Sequence, residues 1–575
     1  MNGKSLPIIF PTPKEISYGD GYYKLEKDSI IIGASGLPEG KALKLEHSAD
    51  LQDEEYLLSI SDEGIKITSK NDKGAKLAFQ TIRQLAMQNA ELPHLQIRDY
   101  PDLKTRGFML DISRCKVLNM DTLLYLTDML ALFKYNRLEL YTEHTFAFRN
   151  HETVWANSSP MTAKEYEILG TLCARMGIEL VPNLNSLGHF DRWLRHPEYN
   201  HLAESKAPFI DIIGTLRPYP TTLHPDDNAV AFMDSLYAQF LPLFSSDKVN
   251  IGCDEPWEFG LGKSKERCEK DKTKYLLYIE YVSKLSEAAK KYGKKCCFWA
   301  DVLMKDSQYA KILPESMIPI LWGYYEDHPF KEECSCLQNY GREFLIAPGT
   351  STWNSFAGRW HNAMDNIKSA CENAKEYDKC LGTILTNWGD NGNHQIFCSM
   401  WLPTVFFAQS AWSQTCTEED AIEAVSEFIF KDKSQNFAKA LAVLGKVDPI
   451  KKLFCLYNKL FFGTPKEIDE ILSTNTYPLD LIKQQTQEAL DLLALSTMRC
   501  PDANVCAAEL QLACDMINFA LYRAKFDKEI SLSPTKNSLR FIASQYSQLW
   551  LARARIGGLH ESEAKIRNIA PEIFI

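Results

Sequence analysis

Short apolar runs recur along the middle of the chain, and helical patterns fill the gaps between them. GFMLDI, RLELYT, GIELVP, VNIGC, KCCFWA, IPILWG, EFLIAP and GTILTNW lie between residues 106 and 411. Segments with a 3.6-residue apolar period, such as DTLLYLTDMLALFKY and KYLLYIEYVSKLSEAAKKYG, separate most of them. Strands covered by helices on both faces need unbroken apolar runs, not alternating ones. Eight such units over about 300 residues predict a (β/α)8 TIM barrel. An open doubly wound sheet is the structural alternative, but no G-x-G-x-x-G turn follows the first strand to favour it.

The flanks read differently. Up to about Asp99, the β runs SIIIGA, EYLLSIS and GIKITSK accompany one helix pattern, KGAKLAFQTIRQLAMQ, which predicts a small α/β domain over residues 1–100. The DYPD turn then leads into the barrel, expected over 101–411. Past Ser413 the strand signals fade, and segments such as SQNFAKALAVLGKV and VCAAELQLACDMINFALYRAKF carry helical periodicity, so 412–575 is expected to be a helical domain. Its apolar faces need the barrel or a second copy of the chain, which makes a homodimer a candidate. No aromatic pattern continues past Trp401, so this domain is expected to serve folding or assembly and not chemistry.

Composition narrows the class. With 575 residues, 45% hydrophobic and 24% charged, the chain has core material for several soluble domains. A formal charge of −11 without a basic stripe argues against a nucleic-acid partner. No apolar run approaches the roughly 20 residues of a membrane span. The opening MNGKSLPIIFPTPKE is broken by Pro7 and Pro11 and lacks the apolar core of a leader, so a cytoplasmic location is expected. The sixteen cysteines show no C-x-x-C framework, Cys334 and Cys336 are too close for zinc spacing, and Cys253, Cys296 and Cys297 fall inside strands. Reduced core thiols are the expectation.

Barrel enzymes carry their chemistry where strands end. The second strand ends in Tyr141-Thr142-Glu143-His144, the third leads to Asn185 and His189, and the fourth to Asp254-Glu255-Pro256-Trp257. The fifth ends in Trp299-Ala300-Asp301, the sixth in Trp322-Gly323-Tyr324-Tyr325, the seventh leads to Trp353-Asn354, and the eighth ends in Trp388-Gly389-Asp390. Trp side chains converging on one mouth fit a carbohydrate site, where aromatic faces pack on sugar C–H groups and charged side chains bind hydroxyls. Arg106, just before the first strand, reads either as such a hydroxyl ligand or as a salt-bridge residue at the barrel bottom. Adjacent Asp254 and Glu255 repel, which drives one pKa upward and suits a site that wants one acid and one anion. Glycosidases that use two protein carboxylates set them about 5 to 9.5 Å apart across the scissile bond. Neighbours do not straddle a sugar ring, and the remaining solution makes a group of the substrate the nucleophile.

RDYPDLKTRGFMLDISR and KGAKLAFQTIRQLAMQ resemble the approach to the barrel in glycoside hydrolase family 20, the β-N-acetylhexosaminidases, and VNIGCDEP resembles that family's acid motif, usually His-x-Gly-Gly-Asp-Glu. The likeness covers most of the first 400 residues, and the helical tail resembles a three-domain bacterial subgroup. It implies an exo-acting retaining hydrolase of terminal β-linked GlcNAc or GalNAc that works through an oxazoline intermediate, with no metal or other cofactor and a glycan as its partner. Glu255 would be the acid/base, and Asp254 would orient the 2-acetamido group. Arg106 and Asp390 would hold hydroxyls, Trp299, Trp322 and Trp388 would wall the acetamido pocket, and His189, backed by Glu143, would sit near the acid. Asn250 and Cys253 depart from the acid motif, and Glu143-His144 stands where two Asp are common. Trp353-Asn354 replaces a Tyr-x-Asp, leaving Tyr324 or Tyr325 to bond the acetamido oxygen. The rivals are a two-carboxylate barrel hydrolase of non-acetamido sugars and a catalytically silent sugar-binding protein.

Overall fold

The computed structural model describes residues 6–26, 30–33, 36–211, 216–448, 454–473 and 477–574. Eight parallel strands close into a barrel: Thr105–Asp111, Arg137–Thr142, Glu179–Leu184, Lys248–Asn250, Lys295–Trp299, Ile318–Trp322, Phe344–Ala347 and Cys380–Asn387. They are the eight apolar runs of the sequence, in order. Helices including Met120–Leu132, Ala163–Met176, Tyr275–Lys290 and Trp360–Glu376 pack around them. Both strand faces are dry, so all six residues of Arg137–Thr142 are buried, which explains why the runs do not alternate. The lumen holds Met109, Tyr141, Trp299, Ile320, Leu345 and Ile384. It also holds one buried acid, Glu139, satisfied by Arg137 at 2.7 Å and by the amides of Asn183 at 2.8 Å and Asn250 at 3.1 Å. Asn250 therefore serves the barrel interior.

Ahead of the barrel lies a five-stranded sheet in the spatial order Glu15–Lys24, Glu91–Asp99, Tyr56–Ser61, Gly64–Ser69 and Leu43–His47. Burial alternates along Tyr56–Ser61 because helix Asp72–Gln88 covers one face only. Of the SIIIGA run, Ile31–Ile32 forms a short strand, while Ser29 and Ala34 lie outside the described residues, as do residues 1–5 of the opening segment. Past the barrel the chain is helical, with Leu479–Ala494, Ala503–Phe526 and Ser533–Arg553 the longest elements. Ala503–Phe526 is long and apolar enough to cross a membrane by length and composition alone, yet it packs between the other two helices with 61% of its most apolar window buried. All sixteen cysteines are free thiols.

Arg106 is not at the mouth of the barrel. It sits at the N-terminal end of the first strand and forms a bidentate pair with Glu54 at 2.9 and 3.1 Å. It also donates to the Leu103 and Lys134 carbonyls and packs against the Trp412 ring. Beside it Asp99 accepts from Tyr56, Lys134 and Trp412 at 2.7 to 2.8 Å, and Lys134 is fully buried. The expectation that Arg106 holds sugar hydroxyls is thus overturned: it joins the N-terminal sheet to the barrel floor. Arg106→Met leaves Glu54 without its guanidinium in a half-closed interface, and removing one member of a buried pair costs about 3–5 kcal/mol. Denaturant unfolding should show that loss while kcat per folded molecule stays unchanged; the reverse result would return Arg106 to the sugar site.

Candidate active site

The fourth strand stops in a tight left-handed turn, with φ of 66° at Gly252, 70° at Cys253 and 43° at Glu255. Side-chain residues take such angles only when their surroundings enforce them. Asn185, from the third strand, does much of the enforcing. Its Oδ1 accepts from Ser186 N and Cys253 N, while its Nδ2 donates to Asp254 Oδ1 and to Tyr141 Oη, both at 3.0 Å. Two glycines admit this packing. A Cβ at Gly252 would lie 2.6 Å from Asn185 Oδ1, and one at Gly188 would lie 2.2 Å from the Asp254 carbonyl oxygen. Glu255 N in turn donates to Asp301 at 3.3 Å.

The two carboxylates experience opposite fields. His189 Nε2 lies 3.3 Å from Asp254 Oδ2 and 3.5 Å from Glu255 Oε2, ion-pair contacts without hydrogen-bond alignment. Burial opposes both charges of the His189–Asp254 pair, but each holds the other ionised: His189 is pushed up to about 9, and Asp254 stays below the usual carboxylate range. Glu255 goes the other way, raised by burial and by the neighbouring Asp254 against the pull of His189. Asp301, raised by burial and then by Asp254 and Glu255, reaches about 7. Glu143 accepts from Tyr141 Oη and lies 3.9 Å from His189 Nδ1, so it stands behind the imidazole.

A cation completes this cluster at the mouth, and it is Arg114, three residues beyond the end of the first strand. Its guanidinium stacks over Tyr141 at 4.6 Å and Trp388 at 4.9 Å. It pairs with Asp111 at 3.3 Å and Glu143 at 3.5 Å. Above it the aromatic strand ends form a box. Trp299 and Trp388 centroids lie 6.0 Å apart, Trp322 stacks on Tyr324 at 5.2 Å, and Tyr324 meets Trp353 edge-on at 5.1 Å. Trp388 Nε1 donates to Tyr324 Oη at 2.8 Å. The buried indole nitrogens of Trp299 and Trp322 meet no acceptor among the described residues.

The loop after the eighth strand carries Asp390 through Asn391, Gly392 and Asn393, all left-handed. The helical region holds it there. Tyr457 Oη lies 3.1 Å from the Asn391 carbonyl, Tyr546 Oη donates to the Asn393 carbonyl at 3.2 Å, and Ser562 Oγ donates to that of Gly392. His394, kept neutral by burial, bridges Tyr457 at 2.7 Å and the Ser562 carbonyl at 3.1 Å. Arg192, three residues after His189, pairs with Glu561 at 2.6 and 2.7 Å. A region expected to serve folding or assembly thus also fixes two loops of the barrel mouth.

The sequence matches a known family along most of the chain. The model described as "Glycosyl hydrolase family 20, catalytic domain" matches residues 104–415, over half the chain, and that for "domain 2" of the family matches residues 33–100. The chain belongs to glycosyl hydrolase family 20. Among curated relatives, human hexosaminidase D is 21% identical over 61% of this chain and 75% of its own length. A β-hexosaminidase β subunit of Entamoeba histolytica is 24% identical over 45% of this chain and 50% of its own. Among solved structures, Flavobacterium johnsoniae chitobiase superposes with a TM-score of 0.60 at 18% identity, covering 98% of this chain and 99% of that one. A β-N-acetylhexosaminidase from Bacteroides fragilis gives 0.60 at 19%, over 73% and 94%. At these identities the structures speak to the fold: a barrel with an N-terminal domain and a C-terminal helical region.

Of the candidates read from sequence, the mouth of this family 20 barrel gathers Asp254, Glu255, His189, Glu143, Trp299, Trp322, Tyr324, Trp353 and Trp388, with Asp390 on the clamped loop. Arg106 lies at the opposite end. Asn185 and Asp301 were named at strand ends but given no role, and Arg114 was missed; each follows the C-terminal end of a strand, the position rule that selected the others. Elsewhere, Cys500, Asp502 and Cys506 bring ligand atoms within 4.8 Å of one another. Arg553 already donates to Asp502 and to Cys506 Sγ, so a metal cation there would meet a resident positive charge.

Proposed function

We infer that the chain is an exo-acting, retaining β-N-acetylhexosaminidase that removes terminal β-linked GlcNAc or GalNAc by substrate-assisted catalysis. The observation that carries this reading is the unequal setting of two neighbouring carboxyls: Asp254 is held by Asn185 at 3.0 Å and His189 at 3.3 Å, beside a partly exposed Glu255. With the sugar in the aromatic box, the acetamido oxygen attacks the anomeric carbon, Glu255 gives its proton to the departing oxygen, and an oxazolinium ring forms. Asp254 accepts the amide N–H and stabilises the positive charge growing on that nitrogen in a water-poor site. Tyr324 Oη, with Trp388 Nε1 on one lone pair, keeps its proton for the acetamido oxygen and takes the place of the family's usual seventh-strand Tyr. Glu255, now a carboxylate, deprotonates the water that opens the ring from the vacated face, and configuration is retained. Arg114 and Asp390 supply hydroxyl contacts.

A GlcNAc-thiazoline, which copies the cyclised intermediate, should inhibit competitively and far more tightly than GlcNAc itself. A sugar ester trapped on any protein carboxylate, or indifference to the thiazoline, would replace this mechanism with the two-carboxylate one.

A further inference from the structure

A second cavity of about 190 Å³ opens beside the box, lined in part by Glu255, Trp257, Lys274, Asp301, Lys305 and Trp322. It shares Trp322 with the box and Glu255 and Asp301 with the carboxyl cluster, but neither His189, Arg114, Trp388 nor Asp390 lines it. If Glu255 protonates the departing oxygen, a cavity lined by this same carboxyl is placed to receive the leaving group. Its wall is built in advance. On the loop carrying Trp257, buried Glu258 accepts from the backbone N–H and hydroxyl groups of both Thr221 and Thr222 at 2.6 to 2.9 Å. Buried Glu204 accepts from Gly262 N at 3.2 Å and Ser264 N at 3.0 Å.

The cavity carries two lysines that no described carboxylate pairs with directly. Half-buried Lys274 precedes helix Tyr275–Lys290, and exposed Lys305 follows Asp301–Met304. Neither ammonium makes a hydrogen bond or ion pair among the described residues, and burial followed by the nearby Lys305 presses Lys274 below its ordinary pKa. The two acids facing the same space, Glu255 and Asp301, are both raised toward their neutral forms by burial. Two ammonium groups free of hydrogen bonds and ion pairs, lining one cavity with the Trp257 ring, are complementary to an acidic sugar.

We propose that this cavity is a leaving-group subsite for a sugar acid, its ring against Trp257 and its carboxylate or sulfate between Lys274 and Lys305. The proposal rests on Glu255 being the general acid, and the test separates the two ideas. Three disaccharides with GlcNAc β1,4-linked to glucose, to glucuronate or to glucose 6-sulfate are hydrolysed by the full chain, and kcat/KM is compared within each protein, so that partial unfolding of a variant cancels. The native chain should prefer at least one acidic substrate over the neutral one by about tenfold, with the preference shrinking as salt rises; which one it prefers distinguishes carboxylate from sulfate. In the Lys274→Gln/Lys305→Gln double variant the ratio should fall to about one. A native ratio of one or less, or a ratio that survives the double substitution, overturns the sugar-acid subsite while leaving the hexosaminidase reading intact. No turnover of any of the three, the neutral one included, overturns the reading on which the proposal stands.

Discussion

Glu255→Gln lowers kcat/KM about 10²- to 10⁴-fold on an oligosaccharide, the usual contribution of a positioned general acid, and costs far less on an aryl glycoside whose phenolate departs unaided. The asymmetry follows from where the proton goes. A sugar alkoxide is too basic to leave without it, whereas a nitrophenolate is a stable anion. The amide keeps the size of the carboxyl and the Glu255 N to Asp301 contact, so the turn should hold its shape. Steady-state kinetics on both substrates with matched protein decides the matter. Equal losses on the two would remove Glu255 from the role of acid.

Asp254→Asn slows turnover about a hundredfold or more, the order expected when one fixed group facing developing charge is lost. Sugar binding persists, because Arg114, Asp390 and the Trp walls are untouched. The thiazoline should inhibit this variant much less than the native chain, since its ring nitrogen no longer faces a carboxylate. The pH profile gives an independent reading. In the native chain kcat/KM rises as pH climbs through the lowered pKa of Asp254, and falls as it passes the raised pKa of Glu255. The variant has no group to ionise at position 254, so the acidic limb vanishes. The basic limb moves to lower pH, because the Asp254 charge that helps raise Glu255 is gone. An unchanged profile would show that Asp254 is not the anion of the mechanism.

The barrel was readable because a strand under helices on both faces must be apolar throughout, and few other environments ask for that. The adjacent carboxyls were readable because their proximity is covalent. Arg106 and Arg114 show where reading stops. One lies at the start of a strand and the other just past its end, and residue type alone does not tell the floor from the mouth. Strand direction does, and it favours Arg114. Asn185 locks Asp254 across 69 residues of chain, a contact set by barrel register. The clamp on the Asp390 loop left still less trace, since Tyr457, Tyr546 and Ser562 address backbone carbonyls, which every residue possesses.

The charged network under the barrel has a consequence for how this molecule comes apart. Asp99 sits on the sheet side of the DYPD linker, and Lys134 and Arg106 on the barrel side. Cutting the chain at the linker would strand two buried cations against a dry floor, each without its counterion, a state costly enough to deny the released barrel a stable form. The sheet and the barrel are separate stretches of sequence but one cooperative unit, and calorimetry should record their melting as a single event. In any chimera of this enzyme the crossover belongs outside both, because the catalytic half inherits its foundation from the first hundred residues.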